Sequence, residues 1–285
     1  MQITNCFKIE RTLLEVAKMN DNYLNKFSFL LRERGLLNLA AHCFHFARNR
    51  LFMLPILDIV SFNLSKRALE EMQENEQTVD DIINTTWKYC GIGYYHTIKP
   101  YQVKSEFRKL LGEVLQLKPK IILEIGTARG GALYGFVRVA PNDALIISLD
   151  LPGGKFGGGY PESKIKFFEL FKKRSQSLKF IRKDSHSMDA YNEVLSILNG
   201  RKIDFLFIDA DHTYEGAKQD FEMYSRLISR TNGIIALHDI VPHVKHTTCK
   251  VDQLWQEIKE KHSISEIIES DKQEWAGIGI VRLND

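Results

Sequence analysis

Short apolar runs recur along the chain from Lys120 onward. They read "KIILEI" (120–125), "ALIISLD" (144–150), "LKFIRKD" (178–184), "IDFLFID" (203–209), "GIIALHD" (233–239), "ISEIIE" (264–269) and "IGIVRL" (278–283). Segments with helical patterning separate the first six, at about 131–140, 161–176, 187–199, 214–230 and 250–262. Continuous apolar strands that alternate with helices predict a parallel sheet covered on both faces. Only "SDKQEWAG" joins the last two runs. A parallel crossover needs a dozen or more residues, so the final strand is predicted to run antiparallel, beside the sixth. The fold class expected is α/β: a doubly wound, Rossmann-like, seven-stranded and mostly parallel sheet.

The first hundred residues pattern differently. Residues 10–62 have helical periodicity, and "KRALEEMQENEQTVDDIINTTWKY" (66–89) predicts one or two amphipathic helices with Ser65 as N-cap. Gly91, Gly93 and Pro100 then break the pattern, and residues 102–117 predict a further amphipathic helix. The division expected is a helical N-terminal extension, 1–95, and a core domain, 96–285. The most apolar long stretch, 36–62, is interrupted by His42, His45, Arg48, Asn49, Arg50, Pro55 and Asp58. A bilayer span needs about 20 predominantly apolar residues. No transmembrane segment is expected; a buried or partner-facing helical region is, with membrane-surface contact as the lesser alternative. A homo-oligomer through these helices is the assembly it suggests.

Composition adds exclusions. The chain has 285 residues, 44% hydrophobic and 26% charged, with a formal net charge of +3. No dense Lys/Arg block is present, so nucleic acid is not expected as a partner. Cys6, Cys43, Cys90 and Cys249 form no CxxC pair and show no zinc-ligand spacing with a histidine. The start, "MQITNCFKIERTLLEVAK", lacks the pattern of a signal peptide. A reduced, cytoplasmic protein is the expectation.

Candidate chemistry gathers at the carboxyl ends of the strands, where open parallel sheets bind ligands. The first five runs end in Glu124-Ile125-Gly126, Asp150, Asp184-Ser185, Asp209 and His238-Asp239. After the first comes the turn Gly126-Thr127-Ala128-Arg129-Gly130-Gly131. Dinucleotide binders place GxGxxG here so that the backbone can approach a pyrophosphate. In this turn Ala128 holds the place of the middle glycine, and Glu124 sets a carboxylate where a pyrophosphate would be repelled. The pattern favours S-adenosylmethionine (SAM), which carries a sulfonium, an ammonium and two ribose hydroxyls. Asp150, 24 residues after Gly126, is placed to accept from the ribose diol, and Asp184 from the adenine amino group. His212, just after the fourth strand, is a candidate base with an ordinary pKa near 6.5; capping the helix that starts near Tyr214 is its plainer role. Asp211 reads as a turn or cap residue. For His238, packing and catalysis weigh equally. His243 and His246 follow the fifth strand, with surface or core roles as the default and contact with the substrate as the lesser alternative. The glycine-rich "GGKFGGGYP" after Asp150 predicts a loop that closes over the cleft.

The region from about Thr97 to Ile240 resembles the class I SAM-dependent methyltransferases, on ExGxxxG at 124–130 and Asp150. "DLPGGKFGGGYP", "DSHS", "FIDADHTYEGAKQDFEMY" and "NGIIALHD" are similar to a bacterial subgroup, the metal-dependent macrolide-sugar O-methyltransferases and cephalosporin-hydroxylase-type proteins. The resemblance implies that Glu124, Gly126, Thr127 and Gly130 line the methionine part of SAM. It places Asp150 on the ribose, and Asp184 and Ser185 beside the adenine. Gln102 and Glu106 would reach the methionine end, or simply belong to an amphipathic helix. In metal-dependent relatives an acid at the fourth strand and an acidic pair at the fifth hold Mg²⁺, and a histidine three residues after the first acid is the base. Asp209 and His212 match that spacing; Asp209, His238 and Asp239 would be the metal ligands. His238 replaces a carboxylate, which points to a softer ion such as Mn²⁺ or Zn²⁺, or to no ion and His238 as a base. The implied activity is SAM-dependent O-methylation of a hydroxyl on a sugar, glycan or other small molecule. A nicotinamide-dependent oxidoreductase and a non-catalytic SAM-binding scaffold stay open beside it.

Overall fold

The structure, a computed structural model, describes residues 55–153 and 158–283, with side chains from Asp58 on. The helical pattern of residues 10–54 lies outside the described residues, as do the middle of the glycine-rich loop, 154–157, and the last two residues. Ser61–Asp285 is one compact unit. Among the described residues no helix is long and apolar enough to cross a membrane.

The elements follow the apolar pattern. Helices α1 (Pro55–Gln73), α2 (Val79–Lys88) and α3 (Lys104–Leu117) precede the sheet. Strand β1 (Ile121–Ile125), helix α4 (Gly131–Val139), β2 (Leu145–Asp150), the single turn α5 (Ile165–Phe168), β3 (Ser177–Arg182), α6 (Met188–Leu198), β4 (Phe205–Ile208), α7 (Tyr214–Tyr224), β5 (Ile234–His238), α8 (Val251–Lys259), β6 (Ser263–Ile267) and β7 (Ile278–Arg282) complete it. The sheet has seven strands in the order β3-β2-β1-β4-β5-β7-β6. The first five are parallel, and β7 runs antiparallel to both β5 and β6. The doubly wound α/β sheet expected from the alternation is therefore present. The last strand lies beside the sixth, as expected, but it also inserts between β5 and β6. Burial explains this: Ile278, Gly279, Ile280 and Val281 are all buried, whereas β6 alternates with exposed Ser263, Ser265 and Glu266 and forms the edge. An apolar strand gains most from neighbours on both sides.

The two-residue period of β1 divides the core into two layers. Ile122 packs with Ile82 and Ile83 of α2, Phe107 and Leu111 of α3, and Leu133 and Phe136 of α4. Ile121, Leu123 and Ile125 point to the other face, against Ala190 and Val194 of α6, Phe221 of α7 and Trp255 of α8. Each such side chain contributes about 1.5–3 kcal/mol by leaving water. Residues 61–95 share the first layer: Leu69, Ile83, Tyr89 and Tyr95 are all buried in it.

Two local expectations are corrected. Ser65 does not cap a helix; it lies inside α1, buried, and its Oγ accepts the Ile92 amide at 2.8 Å. The cap is Thr78, which forms a capping box with Asp81 at the start of α2. The helix expected over 161–176 is two 3₁₀ turns around α5. Here Phe167, Phe168 and Phe171 are all buried, and they pack on Tyr95, Tyr134 and Tyr160 in directions that one helical face does not offer.

Candidate active site at the strand tips

At the tip of β1 the chain reverses through backbone that few side chains tolerate. Gly126 has φ +96°, and a Cβ there would lie 2.0 Å from the carbonyl oxygen of Asp209. Gly130 has φ +85°, and its Cβ would meet the Phe168 ring at 2.5 Å. Between them Ala128 adopts φ +46° with a side chain in place. The turn thus keeps a left-handed residue where the dinucleotide pattern has glycine.

Glu124 is wholly buried. Its Oε2 accepts the Thr127 hydroxyl at 2.6 Å. Thr127 has then spent its proton, so Ser148 donates to it at 2.7 Å, and Tyr160 donates to Ser148 at 3.1 Å. The other carboxylate oxygen, Oε1, is buried without a partner. Burial raises the Glu124 pKa well above the carboxylate range, against the Thr127 hydrogen bond. Asp150, at the tip of β2, accepts the Ala128 and Leu151 amides at 2.7 Å each. Burial raises its pKa too, and the amides pull the other way. Glu124 and Asp150 therefore flank the turn, one with an open acceptor oxygen, the other locked by backbone.

A second group forms at the tips of β4 and β5. Asp209 Oδ2 accepts Gln102 Nε2 at 2.5 Å. His238 Nδ1 lies 3.2 Å from both Asp209 Oδ1 and Asp239 Oδ1. These are contacts of charge rather than of direction: neither buried ring nitrogen makes a well-angled hydrogen bond. Asp239 has φ +65°, an uncommon conformation for a residue with a side chain. Its Oδ2 meets His212 Nδ1 at 2.8 Å and its Oδ1 meets His243 Nε2 at 2.9 Å. Burial alone would raise Asp239, but the imidazoles outweigh it and hold the carboxyl well below its usual range. Burial likewise opposes charge on His238 and His212. Asp239 and Asp209 nevertheless raise His238 well above the imidazole range, and Asp239, with Cys249, pushes His212 up to about 10.

Residues 123–240 match the family described as "Methyltransferase domain". The matched residues run from β1 to just past β5 of the seven-stranded Rossmann-like sheet. No protein of curated function matches the chain in sequence. Among solved structures it is similar to the O-methyltransferase of tomaymycin synthesis from Streptomyces achromogenes in complex with SAM. The identity there is 11%, over 74% of this chain and 91% of that one, with a TM-score of 0.48. It is also similar to an O-methyltransferase from Bacillus cereus in complex with SAH, at 15% identity over 73% of this chain and 91% of that one, TM-score 0.47. Likenesses this distant leave substrate and mechanism to the chain's own residues.

The strand tips bring together Glu124, Thr127 and Asp150 in one group, and Asp209, His212, His238 and Asp239 in the other. Gly126 and Gly130 shape the turn between them. Asp184 and Ser185 lie just beyond β3, where Asp184 Oδ1 accepts the His186 amide at 2.9 Å and the Ser185 carbonyl accepts the Tyr224 hydroxyl at 2.8 Å. Gln102 reaches the site, but Glu106 does not. Its carboxylate is wholly buried and accepts the amides of Glu269 and Gly277 at 3.1 Å each and Gln273 Nε2 at 2.6 Å, which ties α3 to the β6–β7 loop. Tyr160, placed by sequence in a mobile lid, is buried and anchors the end of that loop. His212 is paired with Asp239, which raises its pKa to about 10 against burial. His243, expected by default at the surface or in the core, joins Asp239, and Cys249, assigned no role by sequence, is buried nearby. The order of donors along the chain gave no sign of Cys249, because its neighbours come from residues 212 and 239.

The fifth-strand position that the resemblance fills with a carboxylate for Mg²⁺ holds His238. The carboxylates of Asp209 and Asp239 stand around it, so the set offers two oxygen donors and one imidazole. Hard cations prefer oxygen ligands throughout, so the imidazole in this set favours a softer ion over Mg²⁺.

Proposed function

We propose that the chain transfers the methyl group of SAM to a hydroxyl of a small-molecule acceptor, of the sugar or glycan class. The observation that carries this reading is Glu124 Oε1, a buried acceptor oxygen with no partner beside a left-handed turn. An orphaned buried acceptor calls for a donor, and the SAM ammonium is one. The pyrophosphate of a nicotinamide dinucleotide brings only more acceptors and negative charge, which weighs against the oxidoreductase. Asp150 accepts from the ribose diol with the lone pairs its amide partners leave, while Asp184 and Ser185 flank the adenine.

Methyl transfer from a sulfonium is an in-line displacement, so the enzyme contributes chiefly position and loss of the hydroxyl proton. The acceptor lies over the tips of β4 and β5. Asp209, held on one oxygen by Gln102, takes the proton. His212 and His238, kept charged by Asp239, set positive charge beside the forming alkoxide. Calorimetric titration with SAM, followed by release of S-adenosylhomocysteine over a panel of hydroxylated acceptors, tests the reading. Micromolar SAM binding with turnover on one acceptor class is expected, and Asp209→Asn should keep the binding and lose at least about a hundredfold in turnover. Tight NADH binding without SAM binding would overturn it; SAM binding with no turnover would leave the scaffold.

A further inference from the structure

Beside the acidic tips lies a group of a different chemical kind. One nitrogen of His212, one oxygen of Asp239 and the sulfur of Cys249 all lie within 4.8 Å of one another. Around a tetrahedral Zn²⁺, sulfur and nitrogen ligands stand roughly 3.5 Å apart, a distance these atoms reach by small side-chain adjustments. The group is held by backbone as well. The Lys250 amide donates to the His212 carbonyl at 2.7 Å, and the Cys249 amide donates to the His246 carbonyl at 3.0 Å. These bonds clamp the segment before α8 against the loop after β4, and they fix Cys249 against His212. Asp239 is pre-oriented by its left-handed backbone and by His243 Nε2 at 2.9 Å. His243 itself is more than nine-tenths buried, and its Nδ1 has no partner. A buried ring nitrogen without a partner calls for an explanation in what the neighbouring group binds.

We propose that His212, Asp239 and Cys249 bind a zinc-class divalent ion, with His243 orienting Asp239. Imidazole and thiolate select a borderline-soft ion over Mg²⁺. Binding displaces the thiol proton and the imidazole proton into solvent. The ion-binding site stands independently of the acceptor. Its consequence for catalysis rests on the methyl-transfer reading: the bound ion would set positive charge beside the acceptor oxygen.

The test uses the full chain. Protein equilibrated with Zn²⁺ and then desalted is analysed for metal, and Co²⁺ is substituted to report ligation by its thiolate charge-transfer absorption. One ion per chain and a thiolate band are expected. Cys249→Ser, with the other cysteines in place, should abolish the band and weaken Zn²⁺ binding at least tenfold. No retained ion, or a band that persists in Cys249→Ser, overturns the proposal. A second reading of the native chain needs no variant: Zn²⁺ should slow alkylation of Cys249 at least tenfold, by peptide mass spectrometry, and equal rates with and without Zn²⁺ overturn it. SAM titration run alongside separates the two claims, because its failure counts against methyl transfer and not against the ion.

Discussion

At the scale of the residue, the turn after β1 concentrates the constraints. A Cβ on Gly126 would strike the Asp209 carbonyl from a left-handed backbone. Gly126→Ala should therefore lower stability by at least about 2 kcal/mol, read as a fall in denaturation midpoint with unchanged slope. Ala128 already carries its Cβ in that region, so Ala128→Gly should change stability by no more than about 1 kcal/mol, the relieved strain offsetting the added chain entropy. Glu124 makes a prediction about binding. Its buried carboxyl is raised well above the ordinary range, and a cationic ligand requires it ionised. SAM binding should then release protons, visible as a dependence of the calorimetric heat on buffer ionisation enthalpy, and should weaken as pH falls. Glu124→Gln should cost about 2 kcal/mol, some thirtyfold in affinity, and remove that proton release. Unchanged affinity in the variant would disconnect Glu124 from the ligand. The residue types at the tips were legible in the sequence, since strand length and apolar run length fix where each tip falls. Protonation was not legible: His212 near 6.5 or near 10 depends on Asp239, 27 residues away along the chain.

Elements are secured by polar groups as well as by apolar faces. Thr78 and Asp81 exchange hydrogen bonds at the start of α2, and Thr78→Ala should cost about 1 kcal/mol in thermal unfolding. Glu106 receives three N–H groups from the β6–β7 connection. Glu106→Ala leaves buried donors without partners and should destabilise by at least about 2 kcal/mol. Hydrogen exchange should rise first over residues 268–277, where the loop loses its anchor; exchange spread evenly over the domain would contradict that role. The periodicity of α3 announced the helix but not the task of Glu106, because an acid one turn into a helix reads equally as a solvated residue. The broken segment around α5 was misread for a related reason. Its phenylalanines match a helical spacing, yet they are drawn to partners in several directions.

For the whole molecule, pH dependence follows from histidines outside the cleft. His186 Nε2 lies 3.4 Å from the wholly buried Asp220 and 3.1 Å from the Gly216 carbonyl. The Asp220 pairing raises His186 to about 9, against partial burial. A folded pKa above the unfolded value of about 6.5 means that the charged form stabilises the fold. Its contribution is full below about pH 6.5 and is lost as pH rises through about 9. Melting temperature should fall across that window, and His186→Gln should flatten the fall; an equal slope in the variant would remove His186 as the cause. The sequence by itself determined the alternation of strand and helix, the parallel sheet with an antiparallel end, and the carboxylates Glu124, Asp150 and Asp209 at strand tips. These follow from chain-local periods, in which each residue's face and the end of each run are set by its neighbours. Only the tertiary structure decided that β7 enters between β5 and β6, that Gln102 reaches Asp209 while Glu106 does not, and that Cys249 meets His212 and Asp239. Those outcomes depend on which buried surfaces and polar groups from distant segments satisfy one another once the sheet has closed, and no local period encodes that choice.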